Sequence, residues 1–440
     1  MTAGNARQAA VRALLQIDGA GGYSNVVLDN LLENTGMPAA DRAMASRLVY
    51  GVVERRLTLD YLLSVCSSMP LKKMHPAVRE ILRCGVYQLV YMDKVPASAA
   101  VNESVKLTRA MKQPAAAGFV NGLLRGVQRK KTELLQNLPD TEEGLSIRYS
   151  CPRELIALWR AAYGDETTHQ LLAHLNDVPD TCLRVNTLAI EEEAFAERLR
   201  AAGIPYRKEP DLPGCFRVTG SGALRELANE AENWYYHQDA ASQWCCLALG
   251  AQPGEHIADV CAAPGGKSFT TAQYMGNQGE ILAGDVYPAK CDMMEQRARR
   301  LGITCLRTVA RDAAKPPPAS LHAAFDRVLC DVPCSGLGVI RRKPEIRYKP
   351  LAEWDGLPAV QYAILEQAAL LVRPGGVLQY STCTLRPEEN ERVAKRFLRE
   401  HAEFAPRPLP IEPAAGSHML TLFPHIHGTD GFFIAGFVKK

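Results

Sequence analysis

The stretch "DVCAAPGGKS", residues 259–268, decides how the second half of this 440-residue chain folds. Apolar residues lead into it as a short strand, small residues and glycines turn the backbone, and a helical pattern follows from Gly265. Such a turn leaves bare backbone where a ligand can approach closely. It ends in Gly-Lys-Ser as phosphate loops do, but Cys261 stands where a phosphate loop has its first glycine. The turn therefore favours a ligand other than a triphosphate.

The residues around this turn predict a doubly wound, mostly parallel sheet. Short apolar strands alternate with helices from "HIADVCA" through "EILAGDV", "CLRTVA" and "FDRVLCDVP" to "GVLQYSTC". A late helix, "RPEENERVAKRFLREH", carries acidic residues in its first turn and basic residues later, as the helix dipole favours. Ligands of such folds bind at the carboxyl ends of the strands, so we expect a site at that edge.

Two further segments precede this sheet. Residues 1–140 repeat apolar positions at helical spacing, with Gly, Pro, Asn or Asp at the breaks, and predict an all-helical domain. Residues 145–235 combine strand-like stretches such as "TCLRVNTL" and "GCFRVTG" with one helix, and predict a small α+β linker subdomain. The predicted catalytic domain then spans residues 236–440.

The composition, 47% hydrophobic and 22% charged residues, is typical of a globular protein with several cores. No apolar run approaches the roughly 18 residues that span a bilayer, and Arg7 and Arg12 lie where a signal peptide would be apolar. We therefore expect a cytoplasmic protein, and a monomer by default.

The 13 cysteines include no CxxC pair, so we expect no zinc site of the usual spacing.

The charge of the chain is unevenly distributed. Residues 1–140 hold 18 lysines and arginines against 11 acidic residues, whereas the rest of the chain holds 33 against 37. A basic front half favours a polyanionic partner, although solvated basic faces are common. Within this half we interpret Asn102, Asn121 and Arg125 as packing and capping residues, not as RNA contacts.

Carboxylates at successive strand ends indicate a nucleoside ligand. The strand after the glycine turn ends at Asp285, about 20 residues beyond Gly266, where nucleoside-binding folds grip a ribose hydroxyl pair. The third strand ends near Asp312, at the same edge and within reach of an adenine amino group. Such a ligand need not carry a triphosphate.

Two cysteines follow the ends of strands that we predict to be neighbours. The fourth strand leads through Asp331 to Cys334 in "DVPCSGLGVIRRKPEIRY", and the fifth ends in "YSTCT" with Cys383. Most cysteines of such a chain are buried thiols that serve packing. A thiol beside a carboxylate and a nucleoside site can instead lose its proton and attack an electrophilic ring carbon.

These motifs together resemble the RNA (cytosine-5) methyltransferases, which use S-adenosylmethionine. The stretches that carry the resemblance follow the family's order and cover nearly the whole chain: "LRVNT", "WYYHQDAASQW", "DVCAAPGGK", "DVPCSGLGVIRRKPEIRY", "YSTCTLRPEENE" and "DGFFIAGFVKK". The helical front, with "VPASAAVNESVKLTR" and "FVNGLLR", resembles NusB-type RNA-binding domains. That pairing is similar to the bacterial branch of the family that methylates 16S ribosomal RNA.

The resemblance implies a Rossmann-like methyltransferase domain and assigns roles to the residues at its edge. Cys383 would be the nucleophile that adds to carbon 6 of cytosine, Cys334 would assist product release, and Asp331 would bind the cytosine edge. S-adenosylmethionine would be held by residues of the glycine turn and by strand-end carboxylates, namely Cys261, Ala262, Ala263, Pro264, Gly265, Gly266, Lys267, Asp285, Asp312 and Asp331.

A basic run after Cys334 is expected to contact RNA phosphates, because the site must admit a polyanion; it comprises Arg341, Arg342, Lys343 and Arg347. The predicted partner is 16S ribosomal RNA, either naked or within a partly assembled small subunit. Three alternatives stay open: the same chemistry on transfer RNA, a non-catalytic RNA-binding protein, and a P-loop-like ATPase, which the missing first glycine disfavours.

Overall fold

The computed structural model describes the chain in five stretches, namely residues 6–20, 24–33, 36–219, 224 and 233–440. The chain divides into two compact units. The first comprises Met1–Asp177 and Ile340–Leu351, and the second comprises Val178–Val339 and Ala352–Lys440. The sequence patterns ended the helical domain at residue 140, whereas the first unit extends to Asp177 and includes a short segment from the catalytic half.

The described part of the first unit is built from helices around a large apolar core, with a smaller apolar cluster beside it. Its central helix begins after His75, whose side chain accepts a hydrogen bond from the Ala77 amide, and it has Pro76 in its first turn. This helix is buried along most of its length because helices pack against it from several sides. The helices are α1 (Ala6–Ala20), α2 (Ser24–Glu33), α3 (Ala39–Glu54), α4 (Arg56–Cys66), α5 (Pro76–Tyr91), α6 (Ala97–Ala110), α7 (Ala117–Gln136), α8 (Glu142–Tyr149) and α9 (Arg153–His174).

The segment Ile340–Leu351 folds with this helical unit although it follows the Cys334 loop in sequence. The buried Glu345 carboxylate accepts hydrogen bonds from the Ser24 amide at 3.1 Å and from the Ser24 hydroxyl at 2.7 Å. The Tyr348 hydroxyl donates to the Val53 carbonyl at 2.8 Å. Side-chain contacts of this kind, which helical periodicity does not encode, explain why this segment belongs to the helical unit.

The second unit begins with a small antiparallel sheet. Its strands are β1 (Thr181–Val185), β2 (Tyr206–Lys208), β3 (Cys215–Val218) and β4 (Tyr235–His237), in the order β2-β3-β1-β4. The helix α10 (Glu192–Ala201) buries Phe195 against this sheet, where its ring meets Phe216 edge-on with centroids 5.2 Å apart. The predicted strand, helix, strand pattern of the linker is therefore present, with two further short strands.

A larger sheet forms the body of the second unit. Its strands are β5 (His256–Asp259), β6 (Glu280–Asp285), β7 (Leu306–Ala310), β8 (Phe325–Asp331), β9 (Val372–Thr382), β10 (Phe404–Pro406), β11 (Met419–Leu422) and β12 (Phe432–Lys439). The order is β10-β12-β9-β8-β5-β6-β7, with β11 also paired to β12. Strands β5 to β9 run parallel, and β12 joins β9 in the antiparallel sense.

Helices cover both faces of this sheet. Ile257 and Ala258 are neighbours on β5 but belong to two different apolar clusters, because successive strand residues face opposite sides. The helices of the second unit after the linker are α11 (Ala240–Leu249), α12 (Gly266–Tyr274), α13 (Pro288–Arg300), α14 (Leu357–Leu371), α15 (Glu391–Glu400) and α16 (Pro424–His427). The predicted doubly wound fold is confirmed.

The chain order of the strands places a crevice at the end of β5. From β5 the chain moves outward through β6 to β7, and it then returns to the other side of β5 as β8. Ligands of doubly wound folds bind at this change of direction, outside the carboxyl ends of the strands. Within the described stretches, no helix is long and apolar enough to cross a membrane.

Candidate active site

The glycine turn leaves the end of β5 at this crevice. Gly265 adopts a φ of 99°, which favours glycine, and a Cβ atom there would lie 2.4 Å from the Phe269 ring. The Ala262 amide donates to the Gly284 carbonyl at 2.7 Å, which ties the turn to β6. The turn therefore packs closely against Phe269 and β6, and a larger residue at position 265 would displace the helix that follows.

Asp259, the last residue of β5, is a buried carboxyl group that the sequence patterns did not single out. It accepts a hydrogen bond from the Ser268 hydroxyl at 2.6 Å. Burial raises the pKa of Asp259 to about 7, in spite of that hydrogen bond. Its position inside the motif, directly before the glycine turn, was the available signal.

The two predicted nucleoside contacts lie at the expected strand ends. Asp285 is the last residue of β6, and its carboxylate accepts a hydrogen bond from the Tyr287 amide at 3.0 Å. Asp312 follows β7, and its carboxylate accepts one from the Ala314 amide at 3.0 Å. Each carboxylate is thus oriented by the turn that follows its strand.

Four acidic residues stand at this edge of the sheet, and most of its negative charge belongs to Asp285 and Asp312, because Asp259 has a raised pKa and Asp331 is paired with Lys267. Burial raises the pKa of the Cys261 thiol, and the carboxylates of Asp259, Asp331, Asp285 and Asp312 raise it further, in that order. They stand at the ends of the four neighbouring strands β5, β8, β6 and β7. A negative crevice suits the hydroxyl and amino groups of a nucleoside and a cationic group beside it, and it opposes a triphosphate.

The structure brings the two candidate cysteines together. The Sγ atoms of Cys334 and Cys383 are 3.2 Å apart, and both side chains are partly buried. They follow β8 and β9, which are parallel neighbours with Asp331 opposite Ser381. Both loops leave the same edge of the sheet, so Cys334 and Cys383 are in contact although they lie far apart in sequence.

The paired thiols differ in the ease with which they ionise. The hydrogen bond from Cys334 lowers the pKa of Cys383, and Lys267 acts in the same direction, against burial and the nearby carboxylates. The same hydrogen bond, together with burial, raises the pKa of Cys334. At neutral pH the thiolate is therefore more accessible at Cys383 than at Cys334.

Lys267 forms an ion pair with Asp331 at the centre of the site. Its Nζ atom lies 2.7 Å from Oδ2 of Asp331, whose Oδ1 accepts a hydrogen bond from the Ser381 hydroxyl at 2.7 Å. Burial lowers the pKa of Lys267, but the Asp331 carboxylate together with the nearby Cys245 and Cys246 raises it above its ordinary value, so the amine stays charged. The Gly-Lys-Ser lysine thus has a carboxylate partner inside the site.

Glu389 is a buried residue of this site that sequence reasoning misplaced. The pattern "RPEENERV" put its carboxylate in the first turn of a helix, which is wrong because α15 begins only at Glu391. Glu389 lies in the preceding loop with none of its surface exposed, and its carboxylate accepts a hydrogen bond from the Ser335 amide at 2.9 Å. Its closeness in sequence to Cys383 was the signal that could have indicated this.

The basic run splits into two groups. Arg341, Arg342 and Lys343 are partly exposed. Arg347 is 2% exposed, and its guanidinium donates to the side chain of Asn176 at 2.9 Å and to backbone carbonyls of the helical unit. The prediction that Arg347 contacts phosphate is therefore wrong, because its donors are used inside the protein.

The three polar residues of the helical domain are not buried. Asn102, Asn121 and Arg125 are exposed, so their interpretation as packing and capping residues is wrong. Asn102 and Asn121 line an open groove of about 710 Å³ beside α6 and α7. Apolar residues recur at helical spacing around these positions, but the side chains of Asn102, Asn121 and Arg125 themselves face solvent.

The fold and the site together define a methyltransferase of the Rossmann-like, S-adenosylmethionine-dependent class, preceded by a NusB-like helical domain. Residues 246–438 match the family described as 16S rRNA methyltransferase RsmB/F. Residues 4–129 match the NusB family, and residues 151–225 match the ferredoxin-like domain of RsmF/B-like methyltransferases.

Full-length relatives extend this agreement. The probable ribosomal RNA small subunit methyltransferase B of Synechocystis sp. is 39% identical, with 99% of both chains covered. Ribosomal RNA small subunit methyltransferase B of Salmonella newport is 32% identical, again over 99% of both chains. The crystal structure of PH0851 is 26% identical with a TM-score of 0.83, and the comparison covers 100% of both chains. The chain belongs to the RsmB family of ribosomal RNA small subunit methyltransferases.

Proposed function

We propose that the protein methylates carbon 5 of one cytidine in 16S ribosomal RNA, with S-adenosylmethionine as methyl donor. The observation that carries the proposal is the thiol pair of Cys334 and Cys383, 3.2 Å apart in a crevice lined with carboxylates. Carbon 5 of cytosine is a poor nucleophile, and a thiolate that adds to carbon 6 makes it reactive. Membership of the RsmB family supports ribosomal RNA as the substrate.

When bound, S-adenosylmethionine supplies an electrophilic methyl group on a sulfonium. The residues Cys261–Lys267 would hold its methionine part, and Asp331 lies beside them. Asp285 would accept hydrogen bonds from the ribose hydroxyls, and Asp312 would contact the adenine amino group. The fit rests on the bare backbone of the glycine turn and on the negative strand ends, which favour a cation.

Cys383 is the proposed nucleophile because its pKa is lowered while that of Cys334 is raised. Its thiolate forms a bond to carbon 6, and the electron pair of the 5,6 double bond becomes available at carbon 5 for the bond to the methyl group. Asp331, fixed by Lys267, would accept a hydrogen bond from the exocyclic amine of cytosine and hold the ring in place.

Release of the product needs two bonds to break. A base removes the proton from carbon 5, the ring double bond re-forms, and the bond between carbon 6 and the Cys383 sulfur breaks to regenerate the thiolate. Cys334 is placed to assist, since its sulfur lies 3.2 Å from that of Cys383 and it retains its proton more strongly. The net products are methylated cytosine, the neutral thioether and one proton.

The proposed RNA contacts are Arg341, Arg342 and Lys343, which are partly exposed and follow the Cys334 loop in sequence. The basic surplus of the first 140 residues and the NusB match support a polyanion partner for the helical unit as well. A target base within a helix would be flipped out or would already be unpaired.

The test is transfer of a labelled methyl group from S-adenosylmethionine to protein-free 16S ribosomal RNA, with transfer RNA beside it. We expect 5-methylcytosine at one site of 16S RNA, no label with Cys383→Ala, and a protein-linked RNA band with Cys334→Ala. Label on transfer RNA alone would overturn the substrate. Transfer that survives Cys383→Ala but not Cys334→Ala would reverse the two cysteines.

A non-catalytic protein would give a different pattern. It would bind 16S RNA but transfer no label to naked RNA or to assembled small subunits, with or without Cys383. The assembled subunit is therefore the second substrate in the assay, because a site that forms only during assembly would be labelled there. Absence of label on both contradicts the proposal.

A further inference from the structure

The peptide groups on both sides of Cys334 are held by one pair of buried side chains. The Glu389 carboxylate accepts hydrogen bonds from the Ser335 amide at 2.9 Å and from the Gln361 side-chain amide at 2.8 Å. The same Gln361 amide donates to the Pro333 carbonyl at 3.0 Å. Glu389 and Gln361 are each 0% exposed, so this arrangement is not weakened by competing water.

The Cys383 loop joins the same network one residue further on. The hydroxyls of Ser335 and Thr384, the residues that follow the two cysteines, are 2.7 Å apart. The Thr384 carbonyl accepts a hydrogen bond from the side-chain amide of Asn390, which is the neighbour of Glu389 in sequence. Gly338 donates its amide to the Cys383 carbonyl at 3.0 Å. Two loops and the helix α14 therefore meet at the Glu389 carboxylate.

We propose that Glu389 is a positioning residue that holds the Cys334 loop against the Cys383 loop, and that its carboxylate sets which of the two thiols is the more reactive. Glu389 contacts neither cysteine thiol in this network, and it acts through the peptide groups beside Cys334 and through its negative charge. The effect of this role on catalysis rests on the proposed function, whereas the hydrogen bonds that hold the two loops together do not depend on it.

The charges that face the two thiols differ. The pKa of Cys334 is raised by its hydrogen bond with Cys383, by burial and by the charge of Cys383, and the Glu389 carboxylate adds to this. At Cys383 the neighbouring charges are Asp331 on β8, Lys267 on α12 and Asp430 before β12. The Glu389 carboxylate therefore disfavours the thiolate at Cys334, whereas the pKa of Cys383 is lowered by its hydrogen bond with Cys334, with Lys267 offsetting part of the opposing effect of Asp331.

The experiment is alkylation of the two thiols by iodoacetamide across pH, with each site quantified by mass spectrometry in the absence of RNA and methyl donor. In Glu389→Gln, which keeps the shape but not the charge, we expect Cys334 to react about tenfold faster at pH 8, because its thiolate is no longer disfavoured. Glu388→Gln is the matched control, since Glu388 forms ion pairs with Arg386 and Arg392 in the same loop. Its profile is expected to match the wild type.

A second readout follows the proposed reaction. With 16S RNA and methyl donor, Glu389→Gln should accumulate the protein–RNA adduct at Cys383, with release slowed about tenfold and the first transfer changed less than threefold. If wild-type protein transfers no methyl group while the alkylation change is seen, the proposed function fails and the positioning role stands. An unchanged Cys334 profile in Glu389→Gln overturns the positioning role whatever the methylation result.

If Glu389→Gln loses its cooperative thermal transition, it does not fold. In that case Gln361→Leu is the second variant that tests the proposal. Without the Gln361 amide the Pro333 carbonyl is released and Cys334 loses its fixed place beside Cys383. We expect the alkylation midpoint of Cys383 to move to higher pH, because the hydrogen bond that lowers its pKa is weakened. An unchanged Cys383 midpoint in this variant contradicts the proposal.

Discussion

Asp259, the last residue of the central strand β5, is 2% exposed. Because burial raises its pKa to about 7, the folded protein holds this proton far above the pH at which the unfolded chain releases it. The contribution of this group to stability is therefore complete below about pH 4 and declines as the pH rises towards 7. A neutral side chain of the same shape would not show this decline.

We predict that Asp259→Asn becomes more stable relative to the wild type as the pH rises from 4.5 to 8. The relative gain has an upper limit of about 4 kcal/mol, from three pKa units. Thermal unfolding followed by circular dichroism across this range measures it. Asp355→Asn, a change at an exposed carboxylate, is the control. Unfolding temperatures of Asp259→Asn and wild type that run parallel across pH would show that Asp259 is ionised in the folded state.

The proposed nucleophile, Cys383, offers a second prediction at the residue scale. Cys334→Ala removes the hydrogen bond that lowers the pKa of Cys383, and burial, which raises that pKa, remains. The pH at which Cys383 becomes half-maximally reactive towards iodoacetamide should therefore rise. Cys66→Ala, a change at a partly exposed cysteine of the helical unit, should leave the profile unchanged. If the pH midpoint of Cys383 is lower in Cys334→Ala than in the wild type, Cys334 competes with Cys383 for the negative charge of the thiolate.

The loops that carry Cys334 and Cys383 can approach each other closely because small residues lie where they meet. Gly338 lies in the Cys334 loop, accepts a hydrogen bond from the Gly431 amide at 2.9 Å and donates to the Cys383 carbonyl. A Cβ atom at Gly338 would lie 1.9 Å from the Gly431 carbonyl oxygen, which is backbone and cannot turn aside. The spacing of the two cysteines thus depends on this backbone contact.

We predict that Gly338→Ala separates the thiols and lowers methyl transfer by about a hundredfold, since a 1 Å displacement at a reacting group has an effect of this size. Gly356→Ala is the matched control, because no atom beyond its chain neighbours lies within 4 Å of the added Cβ and its φ is −79°. Single-turnover transfer measures the effect. Equal rates for the two variants would show that the loop can move without loss of function.

On the scale of the whole chain, the basic run after Cys334 combines a buried arginine with partly exposed basic residues. Arg347 anchors its segment in the helical unit through buried hydrogen bonds, whereas Arg342 is partly exposed. The same residue type within one motif therefore contributes to stability at one position and is proposed to bind RNA at the other. Charge alone does not separate these roles, but burial does.

We predict that Arg347→Ala lowers the unfolding temperature by roughly 5–10 °C, because buried carbonyls lose their donors. Arg342→Ala should lower the unfolding temperature less than Arg347→Ala does, and it should reduce the salt dependence of RNA binding by about one ion. Thermal unfolding and binding titrations at several salt concentrations measure the two effects. If Arg347→Ala changes only the salt dependence, the buried anchor does not exist in solution.

Sequence alone determined the order of elements, the strand ends that carry Asp285, Asp312 and Asp331, and the class of chemistry. The elements and strand ends follow from local patterns, since hydrophobic periodicity and glycine turns act over a few residues, whereas the class of chemistry follows from the resemblance of the motifs to a known family. The tertiary structure decided which groups meet: the contact of Cys334 with Cys383, the partner of Lys267, and the burial of Glu389 and Arg347. Such contacts join residues far apart in the chain, and a charged residue in sequence looks the same whether a buried partner or water will satisfy it.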